Sequence, residues 1–333
     1  MSVIGIDVSK PHLDVVLLDD QGKTLEEKRI ENTPSALRRT LKGWIRSKRC
    51  ADAPLVCLEP TGHYSTGAVK TLLEMAVPVW IAHPANIMNS GGMQRGKNDE
   101  VDALRIAQYA FRFKDQARLV GADFVRLGEL KELLTTRDRL VRDLGKYKGQ
   151  MNDNVKYMAK GSSASAKVCF KQVMKALGSA IAKAEKAIEA FIAEDEMLFN
   201  KRALAMSVTG IGPVLAHELL VVTQGFTRFD TPRQLACYAG TAPFEHSSGT
   251  SVKGSTRVSH RANKSLKTLL HMAALTAIRI EGDLRTYYLR KVAEGKNKMR
   301  VINAVRTKII HHLWAVITSG TPYTRFKNHL QMS

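Results

Sequence analysis

Asp99, Glu100 and Asp102 put three carboxylates into four consecutive positions of a 333-residue chain with a formal net charge of +20, within the stretch "KNDEVDALRIA". Crowded carboxylates repel one another unless a cation lies between them, and in proteins that cation is commonly a divalent metal. If the stretch is helical, Asp99 and Asp102 stand three residues apart on one face and Glu100 turns away toward solvent. Two more acids sit where acids are costly. Asp7 lies in the β-branched run "IGIDVS", and Glu59 ends the apolar run "APLVCLEP". A carboxylate at the end of a buried strand needs neutralising. Two acids on neighbouring strands and two on a helix face form a set of hard oxygen ligands suited to Mg²⁺, with Mn²⁺ as a substitute. Two such ions roughly 4 Å apart stabilise both the attacking and the leaving oxygen of a phosphodiester. Taken alone, Asp99 and Asp102 have a plainer explanation, because acidic residues are favoured in the first turn of a helix.

The elements that must hold these acids follow from hydrophobic period. "SVIGIDVS" and "LDVVLLDD" are short β-branched runs, and "KTLEEKRIEN" alternates more weakly. "TPSALRRTLKGWIRSK" has a Thr cap, a proline in the first turn, and Leu37, Leu41, Trp44 and Ile45 at helical spacing. A buried strand "APLVCLEP", a helix "STGAVKTLLEMA" and a strand "VPVWIAHP" follow. This order predicts an α/β domain over 1–120 with a mixed sheet, three antiparallel strands followed by βα units, which is the RNase H-like arrangement. Residues 121–200 change to long helices. Leu177, Ile181, Ala184, Ile188 and Phe191 make a heptad seam, and "GSSASA" separates this helix from an earlier one, so a coiled-coil helical hairpin is expected, packed on itself or on another copy of the chain. Residues 201–325 read as a mostly helical domain. Its "VTGIGPVLAHELL" has the pattern of a helix-hairpin-helix, in which Gly210 and Gly212 let the backbone approach a phosphate; an ordinary helix turn has the same pattern.

The charge is uneven: residues 1–120 and 121–200 each carry a net of +3, and residues 201–333 carry +14. A polyanion is the natural partner of that last third. Lys253, Arg257, Arg261 and Lys264 lie just beyond the hydroxyl-rich "HSSGTS" and suit the holding of phosphates. Aromatic residues make up 6% of the chain, which favours phosphate contacts over base stacking. In "RVINAVRTKIIHHLWAV", Arg300, Arg306 and Lys308 stand opposite Val301, Val305, Ile309 and Trp314, an amphipathic support with a nucleic-acid-facing side. His246 and His260 flank the hydroxyl-rich loop and read as surface histidines. The four cysteines show no close-pair spacing, so neither a disulfide framework nor a zinc ribbon is expected, and a reducing cytoplasm fits best. "MSVIGIDVSK" lacks the features of a signal peptide, and "LAMSVTGIGPVLAHELLVV", interrupted by glycines, a proline, His217 and Glu218, is a poor membrane span.

"GIDVSK", "LEPTGHY", "HPA", "KNDEVDA" and "QLACYAGTAPFEHSSGTSVKG" occur in an order and spacing that resemble the DEDD transposases of insertion sequences, the IS110 family, and their pilin-gene-inverting relatives. The resemblance spans nearly the whole chain. It implies a RuvC-like N-terminal domain whose Asp-Glu-Asp-Asp quartet corresponds to Asp7, Glu59, Asp99 and Asp102, and a C-terminal domain with a serine nucleophile. The family serine precedes a glycine in a motif that here reads "SSGTSVKG", which points to Ser248, with Ser247, Thr250 and Ser251 as neighbouring candidates. It also implies double-stranded donor and target DNA, a structured bridge RNA as guide, and a homodimer or homotetramer.

The expectation is therefore a Mg²⁺-dependent DNA recombinase that passes through a covalent phosphoserine link. A serine hydroxyl is weak at neutral pH and needs activation. A RuvC-like junction endonuclease using water is the alternative within the same fold. A sugar kinase or actin-like ATPase shares "GIDVSK" but needs a second phosphate loop and an adenosine motif that the sequence lacks. A non-catalytic nucleic-acid binder has no use for four acids at buried positions.

Overall fold

The computed structural model describes residues 1–50, 53–90, 99–121, 123–157, 164–242, 244–248, 252–257 and 262–324. It divides into two compact units, Met1–Gly128 and Glu129–Ser333.

The first unit is built on a mixed five-stranded sheet. β1 (Val3–Val8), β2 (His12–Leu18) and β3 (Thr24–Glu31) run antiparallel in sequence, while β4 (Leu55–Leu58) and β5 (Val79–Ile81) join parallel on the other side of β1. The resulting order is β3-β2-β1-β4-β5, the RNase H-like arrangement predicted from sequence. Helix α1 (Pro34–Arg46) starts as its residues dictate. The Thr33 side chain accepts from the Ala36 amide, and Pro34 occupies the first turn, where its missing N–H costs nothing. Helices α2 (Thr66–Glu74), α3 (Pro84–Ser90) and α4 (Asp99–Arg112) complete the unit.

Strand alternation divides this sheet between two cores. Ile4, Ile6, Val8, Val56 and Leu58 face α1 and α2, meeting Leu37, Leu41, Trp44, Val69 and Leu72. Val3, Leu55 and Cys57 face the other way, toward Ile106, Tyr109 and Ala110 of α4, and Val16 and Leu18 meet Ala103 and Ala107. Full burial of a Leu or Ile side chain is worth about 1.5–3 kcal/mol, so each face is strongly specified. Burial pushes the Cys57 thiol up to about 12, which makes it a packing group rather than a nucleophile.

Helix α5 (Asp123–Tyr157), whose first residues belong to the first unit, and α6 (Ala164–Ala193) of the second unit form the expected helical hairpin and pack on each other within one chain. Arg137 donates to Glu185 through Nε (3.1 Å) and Nη2 (2.9 Å), and the Tyr147 and Phe170 rings are 6.1 Å apart. Leu177, Ile181 and Ala184 of the heptad seam are half-buried, and Ile188 is buried. The remaining helices are α7 (Glu196–Ser207), α8 (Pro213–Val222), α9 (Pro232–Tyr238), α10 (Lys264–Ala277), α11 (Asp283–Ala293) and α12 (Lys298–Ser319). Val305, Ile309, Ile310 and Leu313 of α12 form the spine of their shared core, packed against Leu266, Leu270 and Ala274 of α10 and Leu215 and Leu219 of α8. This unit also holds an antiparallel hairpin, β6 (Phe244–Ser248) and β7 (Val252–Arg257), where the sequence reads as a polar loop.

Candidate active site

The acids of the first unit come together through β1. The parallel register pairs Gly5 with Cys57 and Ile6 with Leu58, so Asp7 and Glu59 occupy the next position on adjacent strands. Alternation puts Asp7 on the same sheet face as Gly5, the face that α4 covers. Gly5 makes that cover possible. A Cβ there would lie 2.4 Å from the Ala103 carbonyl oxygen and from the Ala107 amide nitrogen, so only glycine lets α4 sit directly on the strand. Asp102 precedes Ala103 and is carried to the strand end by the same approach. The electrostatics agree with the geometry. The Glu59 carboxyl is held above the usual carboxylate range, first by burial and then by the negative charges of Asp7 and Asp102.

Asp102 accepts a 2.9 Å hydrogen bond from Arg105 Nη1, one turn along α4. The Val8 amide donates to Asp7 Oδ1 at 3.0 Å. Asp99 is the first residue of α4, one turn before Ala103; its side chain lies outside the described set. A half-buried carboxyl flanked by two further carboxylates is the donor chemistry a hard divalent cation prefers. Among the described residues no three His, Cys, Asp or Glu side chains already converge as a metal site.

The hydroxyl candidates lie in the second unit. Ser248 ends β6 and pairs with Val252, and Ser247 pairs with Lys253, so both sit at the tip of the hairpin. Thr250, Ser251, His260 and Arg261 lie outside the described residues. Lys253 and Arg257 belong to β7, and Lys264 is the exposed first residue of α10.

The α7–α8 turn carries Gly210 and Gly212, which have different roles. Gly210 has φ +96°, and a Cβ would meet the Ala273 carbonyl oxygen at 2.4 Å, so packing on α10 already requires glycine there. Gly212 is the exposed N-cap of α8, with nothing within 4 Å of a built Cβ. Gly210→Ala is therefore expected to cost about 2 kcal/mol or more through strain and overpacking, and Gly212→Ala well under 1 kcal/mol. Paired urea titrations of the two variants measure the difference. A Gly210→Ala protein as stable as the wild type but weak in DNA binding would give that glycine to phosphate contact instead.

Comparison with known proteins agrees with both halves. The family model for DEDD transposases of the IS110 type matches residues 4–158, and that of the IS116/IS110/IS902 transposase family matches residues 202–289. The transposase of insertion sequence IS1111A from Coxiella burnetii is 24% identical over 97% of this chain and 91% of its own. The pilin gene-inverting protein of Moraxella lacunata is 25% identical over 97% of both chains. The chain belongs to the IS110/IS116/IS902 family of DEDD transposases. Among solved structures, Thermus thermophilus RuvC in complex with a Holliday junction is similar over 36% of this chain and 99% of its own, at 17% identity and a TM-score of 0.28.

One acid of this transposase carries no signal in the sequence, and one arginine lies elsewhere than its helical period predicts. Asp14 pairs with Asp7 across β1 and β2, which makes it a further acid on the face covered by α4. It is 5% exposed and takes two hydrogen bonds from Arg29, at 2.7 and 3.1 Å, so its charge is matched within the fold. Arg306 was expected on a nucleic-acid-facing side of α12. It is instead 7% exposed, because both sides of that helix are packed. Among the described residues no helix is long and apolar enough to cross a membrane.

Proposed function

We infer that this transposase is a divalent-metal-dependent DNA recombinase whose strand cleavage passes through a covalent link to Ser248. The observation that carries the reading is the raised Glu59 carboxyl, which ties Asp7, Glu59 and Asp102 into one electrostatic group at the strand end. Asp7, Glu59, Asp99 and Asp102 hold the metal, Mg²⁺ or Mn²⁺ in its place. When bound, the ions stabilise charge on the oxygens of the phosphodiester being exchanged. Ser248 Oγ attacks the phosphorus; one P–O bond to a deoxyribose oxygen breaks as the P–Oγ bond forms, and the serine proton passes to a base or to water. The hydroxyl end of the other duplex then displaces the serine and restores a phosphodiester, so the bond energy is kept and no nucleotide triphosphate is required.

Lys253, Arg257, Arg261 and Lys264, with the backbone at Gly212, hold phosphates on the basic C-terminal segment, while Gly210 serves the packing on α10. Donor and target duplexes are bound together, guided by a bridge RNA. One chain supplies one carboxylate group, and exchange between two duplexes needs several cleavages, so the working form is a homodimer or homotetramer. Residues 1–120 then act as the metal-binding catalytic segment, 121–200 as the linker and oligomerisation segment, and 201–325 as the segment delivering the serine. The similarity to pilin gene-inverting proteins, which are named for inverting a gene, supports the reading.

Trapping the protein on cleaved DNA under denaturing conditions tests it. Ser248→Ala is expected to abolish both the adduct and strand exchange while DNA binding persists. Strand exchange at the wild-type level by this variant overturns the serine role, and cutting by the wild type without an adduct favours hydrolysis by water.

A further inference from the structure

We propose that Asn303, oriented by Arg306, is the positioning residue that fixes the base of the serine hairpin. The proposal rests on the reading of Ser248 as the nucleophile. Thr241 and Asn263, the residues before and after the hairpin segment, are both bonded to the C-terminal end of α9. On the incoming side, the Thr241 amide donates to the Ala236 carbonyl at 2.9 Å; on the outgoing side, the Asn263 amide donates to the Tyr238 carbonyl at 2.9 Å. Thr241 is fully buried, and its own carbonyl is gripped from α12. Asn303 Nδ2 donates to it at 2.8 Å. The Thr307 hydroxyl lies 3.3 Å from the same oxygen and 3.3 Å from the Asn303 carbonyl, so its single proton is shared and Asn303 is the firm donor.

What holds the amide in this orientation is a buried cation. Arg306 Nη1 approaches Asn303 Oδ1 at 3.5 Å, and Nη2 lies 2.6 Å from His271 Nδ1. A guanidinium can only donate. It therefore turns the Asn303 oxygen toward itself and leaves the NH₂ for Thr241, and it requires His271 to be neutral with Nδ1 as acceptor. Burial and the Arg306 charge both press the His271 pKa below its ordinary value, in keeping with that state. Arg306 Nε is buried with no partner, and among the described residues no carboxylate pairs with this arginine. A charge so placed gives little stability for its burial. Its effect lies in setting the direction of every hydrogen bond in the chain from Arg306 through Asn303 to the hairpin base.

The position matters because a hairpin is a lever. Phe244 to Ser248 spans four steps, about 13 Å at about 3.3 Å each, so a rotation of about 5° at the base moves the serine about 1 Å. A misplacement of about 1 Å at a reacting group costs about 10²-fold in rate.

Asn303→Asp tests the idea. The side chain keeps its shape and gives Arg306 a carboxylate partner, but it can no longer donate to Thr241. With DNA at saturation and Mg²⁺ present, the single-turnover rate of the DNA–protein adduct is expected to fall about 10- to 100-fold, with DNA affinity within about twofold of wild type and the melting temperature not lowered. Arg306→Met is the second variant. It removes the buried charge, leaves the amide free to flip, and slows the same step without loss of DNA affinity. Wild-type adduct rates in both variants, with Ser248→Ala forming none, overturn the proposal and leave the nucleophile in place. Cleavage by Ser248→Ala at the wild-type rate overturns the nucleophile and this proposal with it.

Discussion

Asp7→Asn is expected to stabilise the metal-free protein while lowering DNA cleavage by about 10³-fold, close to 4 kcal/mol of transition-state stabilisation. The two effects have one cause. Asp7, Glu59 and Asp102 raise the energy of the folded state by mutual repulsion, which is why burial and those two charges lift the Glu59 carboxyl. Asparagine keeps the oxygen that accepts from the Val8 amide and removes the charge. Relief of one like-charge pair at a partly solvated site is of order 1 kcal/mol, and calorimetry in EDTA would register a rise of a few degrees in Tm.

The linkage has a definite sign. A folded state that holds a proton more tightly than the unfolded chain gains stability as pH falls through the raised Glu59 range. Asp7→Asn lowers that carboxyl and flattens the gain. If Asp7 ligates the metal as proposed, saturating Mg²⁺ should reverse the ranking, because ligation then stabilises the wild type more than the variant. A variant that is destabilised in EDTA, or one that still cleaves DNA at the wild-type rate, contradicts the assignment of Asp7.

The order of strands and helices around these acids was legible in the sequence because each carries its own pattern. "VIGIDV" is β-branched apart from Gly5 and Asp7, "LVCL" is apolar throughout, and Thr33-Pro34 announces α1 at its first turn. What escaped depended on register or on three-dimensional surroundings. Asp14 is one acid in a seven-residue strand of mostly apolar residues, and nothing in that run says it lies opposite Asp7 until β1 and β2 are paired residue by residue. The hairpin of β6 and β7 reads as a loop in the sequence because "FEHSS" and "VKGSTR" show no apolar face to give a strand period. Helical period puts Arg306 on an open, nucleic-acid-facing side, which assumes one buried face. α12 is enclosed by α7, α9, α10 and α11, so the period places the arginine correctly on the helix and wrongly in water.

Gly5→Ala makes the strongest structural claim, because one methyl group tests how α4 is held over the sheet. The added carbon would lie 2.4 Å from the Ala103 oxygen and the Ala107 nitrogen and 2.7 Å from Ala107 Cβ. Two of these are backbone atoms that no rotamer change can move, so α4 as a whole must withdraw by about 1 Å, at a cost of about 3 kcal/mol. Gly43→Ala is the control. Gly43 lies in α1 with nothing within 4 Å of a built Cβ, and alanine there should stabilise by up to about 1 kcal/mol. The displacement in Gly5→Ala reaches the proposed chemistry directly, since Ala103 follows Asp102 and a metal ligand, the role proposed for Asp102, tolerates errors of only about 0.2 Å. Cleavage should therefore fall about 10²-fold even at temperatures where urea titration shows the variant fully folded. A Gly5→Ala protein that matches wild type in both measurements would mean that α4 does not lie on β1, and the grouping of Asp102 with Asp7 and Glu59 would fail with it.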